Sequence, residues 1–458
     1  MGFSSRLKRF ANAKGLGPES EASHDHGNGE DSASVEGDAA ATEPPSPAAK
    51  QAVLLDDLRA RMAKALAKHE VKRERAKAVE DDAPAYREAL PLEALENGFG
   101  SFERRLRLES PLARVGGVAL AEALEASMPW LSVLALDETL AGCRVEGALF
   151  LDTETTGLSG GTGTIAFLVG LAWWSTEDER FVTELLFLPN FASEAAMLAH
   201  LEERLRAAKF LVTFNGKSFD LPLLKTRFTL NRRAFPFEGP HLDLLHVARR
   251  LHRGRDFGVR LQALEQALFG LERVDDIPSA HVAQAYLAWL RGGDSAPVRA
   301  VLEHNVQDVV TMIGLVALYG KPPATSALHG KELVAAARTA TKAKSHAHAR
   351  AVLDAAEERG LEASFAREFH LAKAALCKQE AAWTSAATNL EEARAWLDDE
   401  DVRLDLAKIY EHRLRDARAA LELTEQGTGE APEGLERRKK RLTKKTTAKP
   451  QTKLPGFE

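Results

Sequence analysis

Three short stretches of the chain carry carboxylates and a histidine at spacings that can bind metal and move a proton. In the first, Asp152-Thr153-Glu154 closes an apolar run, Ala148 to Leu151. Side chains alternate across a strand, so Asp152 and Glu154 project from one face. Carboxylates that close repel unless a cation lies between them, and hard oxygen donors at that spacing suit Mg²⁺ or Mn²⁺. In the second, Asn215-Gly216-Lys217-Ser218-Phe219-Asp220 follows another apolar run, Phe210–Thr213, and puts a third carboxylate where a helix begins. Taken alone, Asp220 reads rather as an N-cap. The third stretch is His304-Asn305-Val306-Gln307-Asp308, inside a helical pattern, with His304 and Asp308 one turn apart on one face. A histidine beside a metal-bound carboxylate can take a proton from water, its ordinary pKa of about 6.5 being close to working pH.

The elements around these stretches are readable in outline. Strands are expected at Ala148–Leu151, Ile165–Trp174, Phe181–Leu188 and Phe210–Thr213, and a helix capped by Ser193 is expected to run to about Ala208. Helical patterns follow at Leu221–Leu230, Leu242–Leu251, Leu261–Phe269, Ala280–Leu290 and Val298–Leu318. Three strands in succession, then alternation, then helices describe an α/β layer with a mixed sheet. Gly160-Gly161-Thr162-Gly163 lacks the Gly-Lys-Ser/Thr ending of a phosphate-binding loop and reads as a turn between strands.

Taken in order, the three stretches resemble the exonuclease motifs of the DEDD branch of the ribonuclease H-like superfamily. The longer strings LFLDTETTGLSGGTGTIAFLVG, VTFNGKSFDLPLL, HLDLLHVARRL and HNVQDVV resemble one branch in particular, the bacterial YprB-like ribonuclease H-like domain family. The resemblance covers Glu146 to Gly320. It implies a ribonuclease H-like mixed sheet flanked by helices, with two Mg²⁺ or Mn²⁺ ions held by Asp152, Glu154, Asp220 and Asp308. It also implies 3′–5′ exonuclease chemistry on single-stranded DNA or RNA, with His304 as general base. Superfamily members carry either a Tyr four residues before the last aspartate or a His five before; His304 has the residue of one subgroup at the spacing of the other. By position in the motifs, Thr155, Gly157 and Leu158 would pack against the terminal nucleotide, with Asn215, Lys217 and Phe219 beside the second motif. For Phe219 ordinary core packing is the favoured reading. His241 and Asp243, in HLDLL, read as structural, within reach of a supporting role.

The chain is 458 residues long with 45% hydrophobic and 28% charged residues, enough for two or three domains and ordinary for a globular protein. Residues 1–83 read as mostly disordered, with an amphipathic helix at about 51–79; residues 84–145 are a lead-in with a turn at Gly116-Gly117, and 146–322 the exonuclease-like domain. Residues 323–430 are Ala-rich and strand-free. The echoes Ala349–Leu353 and Ala417–Leu421 lie 68 positions apart, about twice the period of tetratricopeptide repeats. A TPR-like C-terminal all-α domain, docking a protein partner, is therefore expected. Residues 431–458 read as a basic disordered tail, nine Lys/Arg between Arg437 and Lys453 against a net charge of −6 for the whole chain. Two cysteines argue against a disulfide framework. With no membrane segment or export signal recognised, a cytoplasmic setting is the expectation. A nucleic-acid-binding scaffold that keeps the fold but turns over little is the alternative function.

Overall fold

The computed structural model describes residues 88–157, 163–274, 276–326, 328–360 and 362–447. The expectations for residues 1–83, including the helix at 51–79, lie outside them. Nine strands follow in chain order: β1 (Glu93–Asn97), β2 (Gly100–Leu108), β3 (Arg114–Val115), β4 (Val118–Ala119), β5 (Ala148–Thr155), β6 (Ala166–Ser175), β7 (Arg180–Phe187), β8 (Phe210–Thr213) and β9 (His241–Asp243). Seven of them form one mixed sheet in the order β1-β2-β7-β6-β5-β8-β9, while β3 and β4 make a small hairpin around Gly116-Gly117. The pairs from β1 to β5 are antiparallel, and β8 and β9 join parallel to β5 and to each other.

Two strands of the large sheet, β1 and β2, come from the lead-in, where only a turn at Gly116-Gly117 is expected from sequence. Glu103, Arg104 and Arg105 of β2 are half-buried charges, Leu106 and Leu108 are exposed, and only Phe102 of the two strands is fully buried, so neither strand shows the apolar alternation that marks a strand in sequence. The third unanticipated strand, β9, is only three residues long and merges by composition into the helix after it.

The helices are α1 (Met128–Ala135), α2 (Glu194–Ala207), α3 (Asp220–Leu230), α4 (Leu244–Leu251), a short α5 (Leu261–Leu264) running into a π-helical turn at Glu265–Phe269, α6 (Ser279–Leu290) and α7 (Ala296–Tyr319). Ser193 does not cap α2 with its side chain; instead Asn190 accepts from the main-chain N–H of Ala192 and closes the preceding turn. The two sheet faces have separate cores. Ala148 and Phe150 of β5 pack with α1, α4 and the C-terminal half of α7, whereas Leu149 and Leu151 pack with α2, α3, α6 and the N-terminal half of α7. Helix α7 is long and apolar enough to cross a membrane by length and composition, but 78% of its most apolar window is buried inside this fold.

From residue 330 the described chain is helical: α8 (Gly330–Lys342), α9 (His346–Glu358), α10 (Ala363–Gln379), α11 (Trp383–Trp396), α12 (Glu400–Ile409), α13 (Ala417–Glu425) and α14 (Pro432–Thr447). Leu333, Val334, Val352, Phe365 and Phe369 belong to the same apolar cluster as the α4 and α7 face of the sheet, so α8 to α10 share a core with the strand domain. Leu390, Val402, Leu406 and Leu423 make a second, smaller core beyond it. The basic run read as a disordered tail is, through Thr447, a helix. Its cations are not merely solvated: Arg438, Arg441 and Lys445 all donate to the buried carboxylate of Glu411, at 2.6 to 3.0 Å. Burial opposes ionisation of Glu411, but the hydrogen bonds from Arg441 and Lys445 outweigh it and hold the group down at about 2. Glu411→Ala should therefore cost about 2 kcal/mol, between the values for exposed and fully buried pairs. Amide exchange should quicken in residues 432–447 while β5 to β8 stay protected; unchanged protection of α14 would show that its apolar contacts alone hold it.

Candidate metal and nucleic-acid site

The site is built where β5 ends between β6 and β8. Asp152 and Glu154 leave the strand on the face that carries Ala148 and Phe150, under α7. Helix α7 can come this close because β6 has no side chain at Gly170, which pairs with Asp152; a Cβ there would lie 1.9 Å from Asn305 Oδ1. The close approach lets Asn305 Nδ2 donate to Asp152 Oδ2 at 2.7 Å. One turn of α7 then sets His304 and Asp308 over Glu154: His304 Nε2 is 3.7 Å from Glu154 Oε1 and 3.5 Å from Asp308 Oδ2. Ligand atoms of Glu154, His304 and Asp308 all lie within 4.8 Å of one another, close enough to share an ion.

Asp220 arrives from the other side, at the first residue of α3. It caps nothing with its side chain; its Oδ1 accepts from Thr153 Oγ1 at 2.5 Å. The turn before it is held by Asp243. The main-chain N–H groups of Asn215 and Lys217 donate to the two oxygens of Asp243, at 2.8 and 3.1 Å. Asn215 takes φ of +72°, a left-handed conformation that Asn tolerates better than most residues. Thr213 Oγ1 bonds His241 Nε2 at 2.8 Å, and burial holds His241 down at about 4. The supporting role read for His241 and Asp243 is thus bracing of the second motif.

Burial raises all four carboxylates, and repulsion within the cluster adds to it at Asp152 and Glu154. Asp152 is pushed well above its ordinary range by burial and then by Asp308, Asp220 and Glu154. Glu154 is pushed up to about 8 by burial and then by Asp308 and Asp220. Burial lifts Asp220 to about 6 against the Thr153 hydrogen bond, and it raises Asp308 despite the Arg273 and His304 charges. Four oxygen-donor acids whose ionisation is disfavoured where they stand are a fit for divalent cations, which would offset their charge.

A cleft of about 240 Å³ opens from the carboxylates, lined by Asp152, Glu154 and Asp220 and by Phe214, Phe219, Leu223 and Val282. Thr155, Gly157 and Asn215 also line it, while Leu158 lies outside the described residues. Phe219 is not core: it is 60% exposed on the cleft wall, because α3 starts immediately after it and turns the ring outward. Lys217 is not brought to the site. Its Nζ is 3.7 Å from Asp137 and lines a separate cleft.

Sequence reasoning missed the charges that stand behind Asp308 and His304, which come from the π-helical turn and the loop after it. Arg273 pairs with Asp308 and is gripped by Glu265 through two hydrogen bonds of 2.6 and 2.7 Å. Asp276 Oδ1 lies 2.6 Å from His304 Nδ1. Nothing in the spacing of Glu265, Arg273 and Asp276 distinguishes them from surface charges. Asn305 lies within HNVQDVV, and its adjacency to His304 is the one available signal.

The chain matches a family model described as the RNase_H superfamily over residues 149–319. Residues 149–319 resemble a ribonuclease H-like domain. A relative from Bacillus subtilis (strain 168), the uncharacterized protein YprB, is 34% identical over 212 residues, 45% of this chain and 51% of the relative. The chain thus spans about half the length of that relative. The ribonuclease H-like domain contains every residue of the carboxylate cluster and both positioning residues of the second motif, and β1 and β2 extend its sheet on the N-terminal side.

Proposed function

We propose that this protein is a divalent-metal-dependent nuclease that removes nucleotides in the 3′–5′ direction from single-stranded DNA or RNA. The convergence of Asp152, Glu154, Asp220 and Asp308 beside an apolar cleft carries this reading. The four acids would hold two Mg²⁺ or Mn²⁺ ions, which when bound supply Lewis acidity toward a phosphodiester and lower the pKa of water. The chain's residues do the rest. Phe219 and Phe214 offer faces for a terminal base, and a cleft of about 240 Å³ takes one nucleotide rather than a duplex end. By motif position Thr155, Gly157 and Leu158 would pack against the terminal nucleotide.

His304 is the general base in this reading. The 2.6 Å contact assigns its Nδ1–H to Asp276, leaving Nε2 free to accept a proton on the side of Glu154 and Asp308. The four-residue register of His304 therefore delivers its ring to the carboxylates. Helices α8 to α14 belong to this reading as the surface for a protein partner, and a cytoplasmic setting accords with two unpaired cysteines.

One observation favours a second reading, a nucleic-acid-binding scaffold with little turnover: Arg273 already neutralises Asp308. End-labelled DNA and RNA oligomers separate the two. Stepwise shortening of a 5′-labelled strand with Mg²⁺ or Mn²⁺, absent in chelator and in Asp152→Ala, is the expected result. Tight binding with no cleavage across a metal series would replace the nuclease by the scaffold.

A further inference from the structure

A second cleft, of about 530 Å³, meets the apolar one at Asp152, Phe214, Asn215 and Ser279 and has His304 and Asp308 on its floor. Its wall carries two arginines, Arg249 at the end of α4 and Arg260 just before α5. Both are exposed, and neither guanidinium has an ion-pair or hydrogen-bond partner among the described residues. Their neighbours differ: Arg250 donates to the Leu134 carbonyl and Arg255 pairs with Glu332. Two uncommitted cations facing a cleft that leads to the four carboxylates are placed to take an anionic occupant.

The loop that presents Arg260 is fixed rather than loose at its start. Arg255 Nε is 3.0 Å from Glu332 Oε1, and His252 lies between Glu332, at 3.3 Å, and the Tyr319 hydroxyl, at 2.9 Å. Glu332 belongs to α8, so the first helix of the C-terminal region braces the loop that ends at Arg260.

We infer that the second cleft is the polyanion track of the site: Arg249 and Arg260 bind backbone phosphates of the nucleotides beyond the terminal one. This rests on the nuclease reading and narrows it to a strand of several nucleotides as the ligand, as against a free mononucleotide. The two clefts then divide the work of single-strand binding, one stacking a base on aromatic rings and the other tracking charge.

The test uses the full chain with Asp152→Asn to block turnover, a fluorescein-labelled single-stranded oligonucleotide, and the labelled mononucleotide as second probe. Arg249→Gln/Arg260→Gln should weaken oligonucleotide binding about tenfold and flatten the log–log salt dependence by about 1.4, the value for two lost phosphate contacts on a single strand. Mononucleotide binding and the melting temperature should not move, and Arg249→Lys/Arg260→Lys should retain most of the affinity. An unchanged salt slope, or equal losses for oligomer and mononucleotide, overturns the inference while leaving the nuclease reading standing. Absence of metal-dependent cleavage by the wild type, with charge-dependent strand binding intact, removes the nuclease and keeps the track. A parent protein that binds no oligonucleotide removes both.

Discussion

Asp152→Asn should cost about three orders of magnitude or more in metal-dependent hydrolysis and, in chelator at about pH 8, should raise the melting temperature. The two effects have one cause. Asp152 is half-buried with a hydrogen bond from Asn305 and three acids around it, and no cation pairs with it among the described residues. An isosteric amide keeps an oxygen for Asn305 and removes one charge from the cluster. The pH dependence follows from the direction of the shifts. Glu154 at about 8 and Asp220 at about 6 stand above their ordinary values of 4.5 and 3.8. Between those ordinary values and the raised ones, the folded protein holds protons that the unfolded chain has released. Stability of the metal-free protein therefore falls as pH rises through this window, by at most about 1.4 kcal/mol per pH unit for each retained proton. Divalent metal should reverse the loss, since it replaces those protons, and Asp152→Asn should flatten it. Thermal denaturation at about pH 5.5 and about pH 8, with chelator and with Mg²⁺, checks all of this. A wild type that becomes more stable with rising pH in chelator would contradict the charge-cluster account.

What was legible beforehand shares one property: the signal was local. Leu149 and Leu151 alternate with Phe150 in an unbroken apolar run that ends in two acids, so β5 and its carboxylates could be read together. The same holds for His304 and Asp308, one turn apart on a helix buried along most of its length. What was missed depends on partners far away in the chain. Arg273 looks like any loop arginine until Asp308, 35 positions on, closes against it. The basic run at 437–445 looks solvated until Glu411, some 30 positions earlier, is seen beneath it. Phe219 fails for a different reason. A lone Phe next to an apolar helix reads as core, and only the position of the α3 start decides that it faces out.

The helical region poses the same contrast on a larger scale. Its Ala-rich composition was plain, yet the shared core of α8 to α10 with the sheet domain was not, because Val334, Val352 and Phe369 give no sign of what they pack against. The contact has a consequence for the site. Glu332 on α8 anchors the loop leading to Arg260, so the helices behind the domain help shape the cleft in front of it.

The same logic of distant partners gives the second large effect. Asp276→Ala should lower kcat about as much as His304→Ala, by roughly 10²- to 10⁴-fold, and the double variant should be hardly worse than either. The argument begins at the 2.6 Å contact between Asp276 Oδ1 and His304 Nδ1. Arg273 Nη1 is also within 3.1 Å of that nitrogen, but a guanidinium has no acceptor and cannot receive the ring proton. The carboxylate can, so Asp276 selects the tautomer with the lone pair on Nε2. Without Asp276 the nearest group to Nδ1 is the Arg273 donor, which favours the opposite tautomer and turns Nε2 into an N–H facing Glu154 and Asp308. The base is then lost although its ring stays in place. Divalent-metal affinity, read by calorimetry, should change little in Asp276→Ala, because Asp276 stands behind the ring on its Nδ1 side. Independent, multiplying losses in the two single variants would show that Asp276 acts other than through His304.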